Sequence, residues 1–139
     1  MLGVEVKLVY LQARKFFGFK EFRSGAVRGY VAEPEKAVAD CLAKPRYCGD
    51  VGEVAKALYF GAEELGLRKL LSYAERRGRS VYKRLCYLLD LLGFDLSEAK
   101  PAKGYAVLDP TRERRGRYDP KWGLLVNVDL RKVLEELSW

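Results

Sequence analysis

The stretch "LLSYAERRGRSVYKRLCYLLDLLG" covers residues 70–93, and how it is read decides the fold. Leu67, Leu70, Leu71 and Ala74 fall on one side of a helix predicted over 63–78, with Glu63 and Glu64 in its first turn, Arg76 and Arg77 in its last, and Gly78 beyond. A second helix follows after one tight turn. Ser80 is its expected cap, and Val81, Leu85, Leu88, Leu89 and Leu92 recur at helical spacing over 80–93.

Working outward toward the amino terminus, the helical period continues. "DVGEVAKAL" (50–58) opens with Asp50 and has Glu53 three residues on, a variant of the capping box, and Gly61 ends that helix. "VAEPEKAVADCLAKPRYCGD" (31–50) places Ala37, Val38, Cys41 and Leu42 on one stripe, with Pro34 at the first helical position and Pro45 closing the segment. Lys36, Asp40 and Lys44 are four residues apart, so Asp40 is expected among opposite charges on a solvated face. Before residue 34 the period is two. "VEVKLVY" (4–10) and "AVRGYVAE" (26–33) have strand character, and Phe16, Phe17, Phe19 and Phe22 between them suit a hairpin or bulged strand over a core.

Toward the carboxyl terminus, "GYAVLDP" (104–110) and "WGLLVNVD" (122–129) are expected strands, separated by "TRERRGRYDPK" (111–121), which reads as a loop. "LRKVLEELSW" (130–139) suits a short docking helix. The order is strands (1–33), about four helices (34–93), then strand, loop, strand and helix (104–139). Such blocks predict one α+β domain over 1–139, with the early and late strands in the same sheet.

Composition limits the chemistry. There is no histidine, so Ser-His-Asp and Cys-His arrangements are excluded. Neither GxGxxG nor GxxxxGK[ST] occurs, no metal set is evident and no cofactor is expected. Glu5 and Lys7 alternate on the first expected strand, a fragment a metal-dependent nuclease would use, and Glu98 and Lys100 repeat the spacing. Such pairs arise by chance in a charged chain. No apolar run reaches membrane-spanning length and no leader is evident, so a cytoplasmic protein is expected. Gln12, Asn127 and Met1 are single occurrences of heat-labile residue types, which suggests a thermophilic source. In that setting Cys41 and Cys48 are a candidate disulfide across the turn after Pro45, and Cys86 reads as a buried hydrophobe.

The net charge of +7 favours an acidic partner, either nucleic acid or an acidic protein face. Seven cations and one acid, Glu75, lie between Arg68 and Arg84. Arg76, Arg77, Arg79, Lys83 and Arg84 gather at the corner between two helices, where guanidinium groups suit phosphates or carboxylates and Tyr73, Tyr82 and Tyr118 can interleave. A second cluster, Arg112, Arg114, Arg115 and Arg117, has only Glu113 among it. Both clusters are candidate partner or nucleic-acid contacts. Helix capping and solubility are the competing explanation for the first.

The succession of residues 31–58, residues 70–93, "YAVLDP" (105–110) and "KWGLLVNV" (121–128) resembles the effector domain of AbiEi-type antitoxins, described as predicted transcriptional regulators. The resemblance spans about Val31 to Val128, with the family's amino-terminal winged helix not expected in this chain. It implies a non-enzymatic regulatory or antitoxin role in a toxin-antitoxin system. The implied partners are a cognate nucleotidyltransferase-type toxin and DNA or RNA.

Overall fold

The computed structural model describes residues 19–24, 27–62, 64–97, 99–100 and 103–137. The expected strand at 4–10, with Glu5 and Lys7, lies outside them, as do Phe16, Phe17 and Glu98. In chain order the elements are β1 (Phe19–Ser24), β2 (Val27–Ala32), α1 (Pro34–Ala43), a 3-10 turn (Pro45–Tyr47), α2 (Val51–Gly61), α3 (Leu67–Arg77), α4 (Arg79–Leu91), β3 (Ala106–Val107), β4 (Arg117–Asp119), β5 (Leu124–Val126) and α5 (Arg131–Leu137). This is the mixed α+β class that the block order predicts.

The described strands do not share one sheet. β1 and β2 form an antiparallel hairpin, Phe19 opposite Ala32 through Ser24 opposite Val27, while β3, β5 and β4 form a separate sheet in that order. An apolar pattern marks a segment as extended, but turns choose its neighbour. β4 was hidden within the expected loop because its three residues, Arg117, Tyr118 and Asp119, are polar and two of them exposed. Gly116 makes that strand possible. Its φ is 147°, and a Cβ there would stand 2.0 Å from the Val126 carbonyl oxygen, so glycine alone fits the approach of β4 to β5.

α1 is the central helix, packed on α3, α4 and α2, and every residue from Glu35 to Leu42 is buried. The expectation of a solvated face at Asp40 is therefore corrected. Lys36 is fully buried, Asp40 is 4% exposed, and the two form an ion pair inside the molecule. Arg77 Nε of α3 donates to the other Asp40 oxygen at 2.8 Å. The second helix supplies what the spacing within α1 does not reveal, because α3 covers the polar side of α1 and closes its charges into a triad. The acids before Pro34 and after it also serve α3 rather than their own helix. Glu33 accepts from Lys69 Nζ at 2.7 Å and Tyr73 Oη at 2.8 Å, and Glu35 accepts from the Gly66 N–H at 2.8 Å. Gly66 starts α3, which is shorter than the 63–78 expected, so Glu64 lies in the preceding turn.

Other local signals match. Asp50 caps α2, accepting from the Glu53 N–H at 2.9 Å. Gly78, at φ 148°, ends α3 and starts α4, which makes Arg79 the first residue of α4 and places Ser80 inside it rather than at the cap. Leu42, Leu58, Leu70, Leu85, Leu88 and Leu89 from the helices join Leu108, Trp122 and Leu124 from the small-sheet region in one core. Cys41 and Cys48 are disulfide-bonded around the 3-10 turn, with Cα atoms 5.8 Å apart. Closing so short a loop contributes about 2 kcal/mol. Cys86 is a buried free thiol whose pKa burial pushes up to about 12, which leaves it unreactive.

Candidate functional site

The two basic clusters have opposite fates. At the α3–α4 corner, Arg76 and Arg79 are exposed, but Arg77, Lys83 and Arg84 point inward. Lys83 is 3% exposed and donates to the carbonyl oxygens of Lys103 and Gly104. Arg84 is 7% exposed, with Nε donating to the Val107 carbonyl and a terminal guanidinium nitrogen to the Leu42 carbonyl, both at 2.8 Å. Burial lowers the pKa of both groups. Arg79 adds to the effect on Lys83, and Asp109 opposes it for Arg84. The corner is thus not one contact surface. Carbonyls of the segment before β3, of β3 itself and of α1 face α4, and carbonyls withdrawn from water need donors, so two long cations of α4 fill that need. Of the interleaving tyrosines, Tyr73 donates to Glu33 and Tyr82 accepts from the Lys100 N–H at 3.3 Å.

The loop cluster is held out from the body by a buried anchor. Asp109 is fully buried, and one carboxylate oxygen accepts from the N–H and hydroxyl of Thr111. Its backbone N–H donates to Asn127 Oδ1 at 2.9 Å, while Asn127 Nδ2 donates to the carbonyls of Asp109 and Glu113. The second Asp109 oxygen accepts no hydrogen bond and faces Arg112 Nε at 3.4 Å. One side-chain amide, the chain's single asparagine, therefore ties the arginine loop to β5. The Asp-Pro-Thr sequence signals the turn. Nothing in the sequence signals the amide clamp.

Strand alternation then divides the four loop arginines between two clefts. Tyr118 and Val107 both stand opposite Leu125, so they share the outer face of the small sheet, while the neighbouring Leu124 enters the core. The outer face floors a cleft of about 410 Å3 lined by Ser80, Arg84, Tyr105, Pro110, Arg112, Arg114 and Tyr118, among others. Across the sheet, Arg115 and Arg117 line a second cleft of about 540 Å3 with Tyr87, Leu91, Asp129 and Arg131. Tyr105 and Tyr118 meet edge to face, ring centroids 4.9 Å apart, and are 58% and 63% exposed. Tyr105 escapes sequence reasoning because it precedes a strand that covers only two residues.

Arg112 is half-exposed and lies 3.8 Å from Asp50, and Arg115 meets Glu113 at 3.2 Å in a fully solvated pair. Such surface pairs are worth about 0–1 kcal/mol and leave the cations available. Arg114 and Arg117 form no ion pair among the described residues. Also among the described residues, no group of three or more His, Cys, Asp or Glu side chains could hold a metal ion, and no helix is long and apolar enough to cross a membrane. Compared with known protein families, with curated proteins and with solved structures, the chain matches none.

Proposed function

We propose that this is a non-enzymatic, antitoxin-like regulatory domain that binds an anionic partner through the arginine loop between β3 and β4. The single observation that carries the reading is the loop 112–117: four arginines with one acid, raised from the body by the Asp109–Asn127 clamp, two of them free of any ion pair among the described residues. The order of motifs adds the class of system, a toxin-antitoxin pair in which the partner is a nucleotidyltransferase-type toxin, with DNA or RNA as a further anionic ligand.

The test is neutralisation. Co-expression with a nucleotidyltransferase encoded beside this gene is expected to relieve that enzyme's toxicity, and Arg114→Ala with Arg117→Ala to weaken the relief while the melting temperature holds. Full relief by the double variant at equal expression removes the arginine loop from the function. No relief by the parent chain, together with no association with the enzyme, removes the antitoxin assignment.

A further inference from the structure

The cleft on the outer face of the small sheet has a property that charge alone does not require. A carboxylate-bearing protein face needs cations, and Arg112 and Arg114 supply them. It has no use for two large rings left more than half in water. Tyr105 and Tyr118 are held there by the backbone: β3 pairs with β5 beside them, and Lys83 secures the carbonyls of Lys103 and Gly104 immediately before Tyr105. The rings stand at 77° to one another, so they do not cover each other face to face, and both remain more than half exposed.

The charged side chains that line the cleft are all of one sign. The cleft is lined by Arg84, Arg112 and Arg114 and by no acidic side chain. It also opens at the start of α4, where Ser80 lines it, Arg79 is exposed and no side chain caps the helix, so the first N–H groups add partial positive charge. Flat apolar rings inside a cationic rim match a chain of bases joined by phosphates. A volume of about 410 Å3 is of small-ligand size, enough to seat one part of such a chain. A duplex would keep its bases stacked inside and offer the tyrosines nothing to cover.

We infer that the Tyr105–Tyr118 cleft is a single-stranded nucleic-acid site, in which an unstacked base lies on the tyrosine pair while flanking phosphates meet Arg112, Arg114 and the start of α4. This rests on the reading above that the arginine loop binds an anionic partner, and narrows it to one ligand class. The tyrosines provide affinity through stacking, which tolerates any base, and the arginines provide the salt-dependent part.

The experiment is fluorescence anisotropy of the full chain with labelled U8 and dT8, an abasic octamer of equal charge, and a duplex of the same length, each across a salt series. The expected order is U8 or dT8 above abasic and duplex, and a preference between U8 and dT8 tells RNA from DNA. Tyr118→Leu is expected to weaken U8 and dT8 by about 5- to 150-fold, the equivalent of 1–3 kcal/mol per stacked base, and to leave the abasic strand unchanged. Arg114→Ala is expected to weaken all strands and to reduce the salt slope by about 0.7. Crosslinking of a 4-thiouridine octamer to the unaltered protein, expected within residues 105–118, does not depend on how any variant folds. Equal affinity for U8 and abasic strands, or a neutral Tyr118→Leu, overturns the stacking site; if Arg114→Ala still weakens binding, the anionic-partner reading survives. Absence of binding to every strand, with arginine-dependent neutralisation intact, likewise overturns only this inference.

Discussion

Lys36, Asp40, Arg77, Lys83 and Arg84 lie inside the helical body, whereas Arg112, Arg114, Arg115 and Arg117 stand in solvent beside the small sheet. The inner set is committed: Lys36 pairs with Asp40 within α1, Lys83 holds the carbonyls that precede β3, Arg77 joins α3 to α1, and Arg84 joins α4 to both α1 and β3. The outer set is less committed: Arg115 and Arg112 make solvated pairs with Glu113 and Asp50, Arg112 also faces one oxygen of the buried Asp109, and Arg114 and Arg117 form no ion pair among the described residues. Charge density along a chain therefore does not locate a binding surface. What matters is whether the fold supplies a buried acceptor first, because a desolvated carbonyl or carboxylate holds a cation more firmly than a solvated partner can.

The largest effect should come from within the body. Asp40→Ala removes the carboxylate that Lys36 and Arg77 share inside the molecule, breaking a buried charge pair, and is expected to lower unfolding stability by about 3–5 kcal/mol in a urea titration. A loss below about 1 kcal/mol would erase the contrast between the two regions, since Asp40 would then behave as a surface charge.

A smaller effect should sharpen it by linking the two regions. Lys83→Met keeps an unbranched apolar stem but withdraws the donor from the Lys103 and Gly104 carbonyls, at an expected cost of about 1–3 kcal/mol. Because those carbonyls precede Tyr105, the variant should also weaken ligand binding in the cleft at temperatures where it remains folded. Unchanged binding would show that Tyr105 is held by β3 pairing without help from α4. The smallest stability effect belongs to the outer set. Arg114→Ala with Arg117→Ala is expected to shift stability by no more than about 0.5 kcal/mol, read by thermal melting, while it changes partner binding and its salt dependence. A loss comparable to that of Asp40→Ala would move these arginines to the structural side.

Residue patterns alone determined the α+β block order, the five helices within a few residues, the Asp50 cap, the proline start of α1 and the positions of Cys41 and Cys48 around one turn. All are local: period, capping and chain direction act over a few residues, so neighbours in sequence carry the information. The candidate site was legible in part, since Arg112, Arg114, Arg115 and Arg117 on a polar stretch with one acid already pointed outward. Only the tertiary structure decided that Arg77, Lys83 and Arg84 are internal, that the hairpin and the late strands form separate sheets, and that Arg117 to Asp119 is a strand. It alone brought Tyr105 to Tyr118 and sent the loop arginines to two sides. The physical reason is that a cation's fate depends on which distant carbonyl or carboxylate is buried against it, and a strand's on which edge it meets. Neither partner lies within reach of a local pattern: Asp40 and Arg77 are 37 residues apart, and Arg84 and Leu42 are 42.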